Sequence, residues 1–273
     1  MCALGVASAA LPGCTSETKK SAALAKDSVQ SLVGITKEDV REVRSGLPLG
    51  AEEIAKNIPE EGEIDPTTAR EALERARNKV QDLRVAKSTF FALVATNGVV
   101  IRDDQQQDRL AGKSIFPAFP GIAMASMGYV EMRGSLPEAA EVRGRPDAQW
   151  IAALGVGPKG ARRALYVTGW SWSAYAYRLE NAVRSAARSA ATSPGKDPLL
   201  YAFVLVGDDV YGAPVSPDVN LKAVHDHVQV PQLREGTPFS TELEITGRGF
   251  GLAAELAPEL GVKVAVAVLR SET

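Results

Sequence analysis

The chain has 273 residues, of which 45% are hydrophobic, and a formal net charge of −2. This length is enough for one large apolar core or two smaller ones. No strongly basic stretch occurs, so nucleic-acid binding lacks the electrostatic footprint it needs. Cys2 and Cys14 are the two cysteines, and packing rather than disulfide bonds is expected to stabilise the fold.

The first 21 residues resemble a secretion signal followed by a spacer. An apolar stretch ends in Leu11-Pro12-Gly13-Cys14, and small polar residues follow at 15–21. A small residue directly before a cysteine resembles the lipobox of bacterial lipoproteins. The resemblance implies a signal remnant at 1–13, lipidation of Cys14, and a tether at 14–21 that attaches the protein to a membrane on its periplasmic or extracellular side. No Lys or Arg precedes Cys14, unlike the basic start of such signals. The alternative is a frayed, Ala-rich N-terminus with an incidental cysteine.

Residues 22–65 predict a helical arm. Two short helices are expected, with a break at Gly46-Leu47-Pro48-Leu49-Gly50, because glycine and proline disfavour helix interiors. The second helix is expected to end near Pro59, and a loop then leads to Asp65. Beyond residue 14 no apolar run reaches the roughly 20 residues of a membrane-spanning helix.

A single long helix is predicted from Pro66 to about Lys87. Asp65 supplies a capping side chain and Pro66 suits the first helical position. The apolar side chains at helical spacing are Ala69, Ala72, Leu73, Ala76, Val80 and Leu83. This face either packs under a sheet of the same subunit, the favoured interpretation, or forms the seam of a homodimer.

From residue 88 the pattern is that of strands. Asn97-Gly98, between the runs 90–96 and 99–102, predicts a hairpin with a type I′ turn. A second hairpin is predicted from 150–156 and 161–170, with short helical segments at 117–130 and 137–142 between the two. The order recurs: hairpins at 199–206 with 210–214 and at 249–256 with 262–269 enclose a helix at 217–228. A helix at 173–191 joins two ββαββ halves, 66–172 and 173–273, in an α+β fold.

Two segments carry a resemblance to a known family. The stretches FFALVATNGVVIRDD and WIAALGVGPKGARRALYVTGW, after a long lead-in helix, resemble Cache domains, which are extracytoplasmic and PAS-like, and secondarily GAF domains. The resemblance implies an antiparallel sheet flanked by helices across the body at 66–273, with a small ligand between the sheet and its covering loops. The Arg-x-Trp-Tyr cluster of amino-acid-binding Cache domains is absent, so amino acids, organic acids and amines all stay open as ligands.

An aromatic cluster is the strongest candidate for a binding site. Residues at spacing two on a strand share a face, and tyrosines and an arginine follow at the start of the next helix. Such side chains make flat apolar walls with polar tips, and a guanidinium binds a carboxylate through two hydrogen bonds. The candidate ligand contacts are Tyr166, Trp170, Trp172, Tyr175, Arg178 and, as a further anion contact, Arg133. The alternative, which we favour, is that the aromatic residues are ordinary core.

Two of the predicted hairpins also carry a pair of adjacent aspartates. Asp103-Asp104 follows the first hairpin and Asp208-Asp209 lies in the third. Either pair suits an amine or a hard cation, but turn-forming, solvated aspartates are the favoured interpretation.

Catalytic and metal-binding patterns are lacking in the sequence. His225 and His227 flank Asp226 near a predicted helix end, where residues two apart do not share a face. Neither Gly-x-Ser-x-Gly nor His-Glu-x-x-His occurs. We therefore expect no enzyme, no metal and no cofactor. Two functions remain: a lipid-anchored sensory domain for a small ligand, or an envelope lipoprotein whose surface binds a protein partner.

Overall fold

The computed structural model describes residues 16–137, 141–142, 145–190 and 197–272. The helices are α1 (Ser16–Ala55), α2 (Pro66–Lys79), α3 (Gln81–Val85), α4 (Trp172–Ala190) and α5 (Asp218–His227). The strands are β1 (Phe90–Ala95), β2 (Val100–Asp103), β3 (Val130–Ser135), β4 (Glu141–Val142), β5 (Arg145–Pro146), β6 (Ala148–Val156), β7 (Ala164–Ser171), β8 (Leu200–Val206), β9 (Asp209–Gly212), β10 (Phe239–Ile245), β11 (Arg248–Leu256) and β12 (Val264–Ser271). Cys14 lies outside the described residues.

Two antiparallel sheets of five strands form the body, which confirms the predicted α+β class. Sheet 1 has the order β2-β1-β7-β6-β3, and sheet 2 has the order β10-β11-β12-β8-β9. When the five strands of each sheet are numbered 1 to 5 in chain order, both sheets have the spatial order 2-1-5-4-3. The two halves therefore share one topology, with α4 between them.

Helix α1 differs from the predicted arm. It is continuous from Ser16 to Ala55 through Pro48, so the predicted break at 46–50 is wrong. Of the predicted spacer at 15–21, residues 16–21 are the first turns of this helix. A Cβ at Gly46 or Gly50 would collide with Leu83 of α3, and one at Gly50 would also collide with the Tyr166 ring. These glycines allow close helix packing instead of ending the helix.

The α1 helix is part of the main core and not a separate arm. Its buried side chains, such as Leu32 and Ile54, belong to one apolar cluster with Trp150 of sheet 1 and Val266 of sheet 2. Its first turns reach the end of the last strand, where the Ser21 hydroxyl donates to the Ser271 carbonyl oxygen at 3.2 Å and Thr18 donates to Glu272. In the part of the chain that the structure describes, no helix is long and apolar enough to cross a membrane.

The predicted helix at 66–87 is interrupted at Val80. The backbone there is extended, with φ −90° and ψ 112°, and separates α2 from α3. Asp65 caps α2 as expected, accepting hydrogen bonds from the backbone of Thr67 and Thr68. The apolar face of α2, including Leu73, is buried in the same core as α1, as expected for a helix that packs within its own subunit.

The hairpins at 90–102, 148–171 and 200–212 form where the sequence predicted them. In the first, Gly98 has φ +88° while Asn97 is not among the residues with positive φ. A type I′ turn needs positive φ at both positions, so that turn type is wrong. Thr246 and Gly247, between β10 and β11, do have positive φ values of 50° and 79°.

Two edge strands were missed. β3 pairs with β6 and β10 pairs with β11. Where a helical segment was expected at 117–130, only a short 3-10 helix, Ile122–Ser126, forms before β3. The expected helix at 137–142 is also wrong at its end, because Glu141–Val142 is the short strand β4; residues 138–140 lie outside the described part. Both edge strands are half-exposed, and their sequences alternate apolar and polar residues, as in Val130-Glu131-Met132-Arg133 and Leu243-Glu244-Ile245. This alternation is the signal that could have located them.

Candidate functional site

The predicted aromatic residues are buried in the core, where Trp170 and Tyr175 stack on each other and Tyr166 stacks on Phe91. Tyr166, Trp170 and Tyr175 are at most 1% exposed. Trp170 lies opposite Trp150 on the neighbouring strand, with ring centroids 4.3 Å apart, and stacks on Tyr175 at 4.6 Å. This stack faces α1. These contacts are the ones expected if the aromatic residues are ordinary core, and a role in ligand binding stays a prediction.

The Arg178 guanidinium is paired with a carboxylate of α1. It donates to Asp39 from Nε at 2.9 Å and from Nη2, and the Tyr175 hydroxyl donates to the same carboxylate at 3.0 Å. Asp39 is buried, so α1 and α4 are joined by a charged, hydrogen-bonded cluster. Burial, and next the charge of Asp39, raise the pKa of Tyr175 well above its usual value.

Trp172 and Arg133 lie apart from the aromatic stack. β7 ends at Ser171, so Trp172 is the first residue of α4, and its ring lies 6.5 Å from that of Tyr211 on sheet 2. Arg133 on β3 is exposed and donates to the Val262 carbonyl oxygen at 3.1 Å. Their ligand roles also remain predictions.

The opposite face of sheet 1 has a separate apolar interior. The segment between β2 and β3 covers it, with Leu110, Ile115 and Phe119 packed on strand residues such as Phe90 and Val167. The space left inside this interior is about 10 Å³. Side chains therefore fill it almost completely.

A cleft opens at the edge of this interior, where β1 begins and β2 ends. Its volume is about 320 Å³. Phe90 and Leu110 line both the cleft and the interior, so the cleft has an apolar floor. The remaining lining residues are Thr89, Asp103, Gln105, Gln106, Gln107 and Arg109.

Asp103 is the buried carboxylate of this cleft. It is 2% exposed, and its Oδ1 accepts a hydrogen bond from the Gln105 backbone at 2.8 Å. Burial, opposed by that hydrogen bond and aided by the nearby Asp108, raises the pKa of Asp103 to about 6. Asp108 itself is paired with Arg102 at 2.7 Å. At neutral pH Asp103 is therefore ionised, and no cation among the described residues is paired with it.

Arg109 supplies a positive charge in the same cleft. It is exposed and donates to the Gln107 side chain at 3.3 Å, but no ion pair involving it is found among the described residues. A carboxylate and a guanidinium thus line one small cleft. This arrangement suits a ligand that carries an ammonium group, with or without a carboxylate.

The two acidic pairs differ in their surroundings. Asp208 and Asp209 are exposed, as expected for turn residues. The Asp104 side chain is 6% exposed, accepts a hydrogen bond from the Phe91 backbone at 2.8 Å and pairs with Arg77 at 2.7 Å. The solvated-turn interpretation is therefore wrong for Asp103-Asp104. Arg109 and the glutamines were missed, because only the tertiary structure brings residues 105–110 beside the start of β1.

His225 and His227 are exposed at the end of α5. Within the described ranges, no group of three or more His, Cys, Asp or Glu residues is placed to hold a metal ion.

Comparisons with solved structures show the fold. The extracellular domain of the putative histidine kinase vpHK1S-Z8 aligns with a TM-score of 0.59 and 10% identity, over 93% of this chain and 92% of that one. The ligand-binding domain of Mlp24 with asparagine aligns with a TM-score of 0.52 and 14% identity, over 94% and 96%. A ligand-binding domain of the Campylobacter jejuni chemoreceptor Tlp3, with 4-methylisoleucine, gives 0.47 and 13%, over 94% and 93%.

The first two alignments show that the chain shares its fold with the extracellular domain of the first protein and the ligand-binding domain of the second. No protein-family model matches the sequence, and no curated protein matches it.

Proposed function

We propose that this chain is an extracytoplasmic sensory domain that binds a small amine or amino acid in the cleft at Asp103. The observation that carries the proposal is the cleft of about 320 Å³, which holds a buried carboxylate and an exposed guanidinium. A cleft of this size is at the lower end of the range for small-molecule sites. The similarity to a domain solved with asparagine supports the same ligand class.

Three parts of the ligand have matching partners in the cleft. An ammonium group pairs with Asp103, a carboxylate pairs with Arg109, and an apolar side chain rests on Phe90 and Leu110. Charge-assisted hydrogen bonds of this kind are stronger than neutral ones. Organic acids without an amine would leave Asp103 unpaired, so they are the weaker ligands.

A calorimetric titration with asparagine and a panel of amino acids and amines tests the site. We expect Asp103→Asn to weaken binding at least tenfold, which corresponds to about 1.4 kcal/mol. Asp208→Asn, which changes an exposed aspartate in the turn between β8 and β9, is the matched control and leaves binding unchanged. The proposal fails if no compound of the panel binds, or if both variants bind like the parent.

The pH dependence of binding follows from the pKa of Asp103, which is about 6. Above pH 6 the carboxylate is ionised and attracts an ammonium group, whereas below pH 6 it is neutral. We therefore expect affinity to fall as the pH drops from 7 to 5, and the Asp103→Asn variant to lose this dependence. A parent affinity that stays constant over this interval contradicts the assigned role of Asp103.

We further propose that a lipid on Cys14 attaches the domain to a bacterial membrane on the extracytoplasmic side. The support is the sequence pattern around Cys14 and a fold shared with extracellular domains. Replacing Cys14 by serine is expected to move the protein from the membrane pellet to the soluble fraction. A variant that still sediments with membranes rules out the anchor.

A second candidate function is an envelope protein that binds a protein partner without a small ligand. The nearly filled interior behind sheet 1, with about 10 Å³ of space, favours it. A negative ligand screen together with specific capture of an envelope protein on the purified chain would support this function. A homodimer remains a prediction for either function, and sedimentation velocity of the purified chain measures it directly.

A further inference from the structure

A larger cleft lies on the other face of sheet 1, between the last turns of α1 and the β6–β7 hairpin. Its volume is about 910 Å³. It lies on the α1 side of the sheet, because Leu154, which lines it, packs on the core that contains α1. The cleft is therefore separate from the one at Asp103.

Most of the lining is apolar. The apolar contributors are Pro48, Ala51, Ala55, Ile58, Pro59, Leu154, Pro158 and Ala161, and Gly155 and Gly157 add bare backbone. Walls of this composition and a volume near the upper end of the range for small-molecule pockets suit a ligand with a hydrocarbon body.

Two guanidinium groups at the hairpin lack a carboxylate partner. Arg162 donates to the carbonyl oxygens of Ser126 and Gly157, and Arg163 donates to that of Gly62. The Nε of Arg163 is buried and has no hydrogen-bond partner. In the ranges that the structure covers, neither arginine forms an ion pair, so both positive charges remain without a neutralising carboxylate.

The other charged residues of the cleft offset only part of this positive charge. Lys56 lies 4.0 Å from Glu53, a weak contact. Glu52 and Glu60 also line the cleft, and neither is ion-paired with a described residue. The lining thus has three cations and two carboxylates, and the two arginines lie together on the hairpin.

We infer that this cleft binds an amphipathic small-molecule anion, namely a carboxylate with a hydrocarbon chain. The carboxylate lies at Arg163, whose planar donors match its geometry. The chain lies along Ala51, Ala55 and Leu154, where it removes apolar surface from water. A cationic amphiphile with the same chain lacks this match.

Calorimetric titration of the full chain with decanoate, below its micellar concentration, tests the inference. Decyltrimethylammonium serves as the cationic comparison. We expect decanoate to bind and the cationic compound to bind at least tenfold more weakly. Arg163→Gln should weaken decanoate binding at least tenfold, whereas Arg188→Gln on the exposed face of α4 should not.

A second variant separates loss of the site from loss of local structure. Ala161 is exposed and lines the cleft, so Ala161→Phe fills the cleft without entering the core. It should abolish decanoate binding at an unchanged melting temperature, and Ala174→Phe on α4 is its control. Asp103→Asn should leave decanoate binding intact, which distinguishes this site from the amine cleft. Absence of decanoate binding, equal binding of both amphiphiles, or full binding by Arg163→Gln and Ala161→Phe overturns the inference.

Discussion

Two buried tyrosines of the same core differ in whether the hydroxyl group has a hydrogen-bond partner. The Tyr175 hydroxyl donates to Asp39 at 3.0 Å. The Tyr166 hydroxyl is buried and has no hydrogen-bond partner, and burial raises the pKa of Tyr166 above its usual value. A buried polar group without a partner keeps its desolvation cost, whereas a paired group recovers it.

The same substitution should therefore have opposite effects at these two positions. Tyr166→Phe removes an unpaired hydroxyl, and we expect an unchanged or slightly higher free energy of unfolding, by up to about 1 kcal/mol. Tyr175→Phe removes a donor to a buried carboxylate and should cost about 1–3 kcal/mol. Urea denaturation of both variants measures the difference. Equal losses would show that both hydroxyls are paired in solution.

The spacing of the aromatic residues predicted part of this arrangement. Residues 166 and 170 do share one face of β7, as their even spacing indicated. Sequence spacing does not specify what that face meets, however, and the α1 helix that covers it lies more than a hundred residues away. The cleft proposed for the amine lies at the edge of the other face, beside Asp103.

At the scale of elements, the sequence located the structures that local interactions determine, such as the hairpins. Turn residues such as Asn97-Gly98 located the hairpins, because glycine is suited to positive φ in a turn. The edge strands β3 and β10 pair with β6 and β11, and the sequence interpretation overlooked their short alternating patterns. The extended residue Val80 between α2 and α3 has no glycine or proline to mark it.

The glycines of α1 misled the sequence interpretation for a related reason. Their type indicates a weak helix, yet Gly50 provides contact space for Leu83 and Tyr166. A Cβ at Gly34 in the same helix would instead point into open space, with no neighbouring atom within 4 Å. Comparing substitutions at the two positions therefore separates the effect of helix propensity from that of packing.

Alanine at these two glycines should change stability in opposite directions. Gly34→Ala gains helix propensity alone, and we expect about 1 kcal/mol of stabilisation. Gly50→Ala gains the same propensity but forces Leu83 and the Tyr166 ring to move, at a cost of about 1–3 kcal/mol, so its melting temperature should fall. Thermal denaturation compares them, and a stabilised Gly50→Ala would disprove the close contact.

At the scale of the whole molecule, one core joins both halves. Side chains of α1, sheet 1 and sheet 2 belong to a single apolar cluster. The halves share a topology, which supports an origin by duplication, but the shared helix removes their independence. Neither half buries its α1-facing surface without that helix.

The protein should therefore unfold in one cooperative transition. The chain has three tryptophans, at positions 150, 170 and 172, so fluorescence reports on sheet 1 and the start of α4, whereas far-UV circular dichroism reports on every element. We expect both signals to have the same denaturant midpoint. Separate midpoints would show that the two halves unfold independently.

The contacts of Ser21 with Ser271 and of Thr18 with Glu272 have a mechanical consequence. The start of α1 and the end of β12 therefore lie side by side, and a force applied to either of them acts on the same small set of contacts. From there α1 runs about 50 Å, at 1.5 Å per residue, to the cleft beside Ala51. Because α1 packs on both sheets along this length, a ligand that displaces its distal end would move the contacts at its start only by repacking the core that the two sheets share.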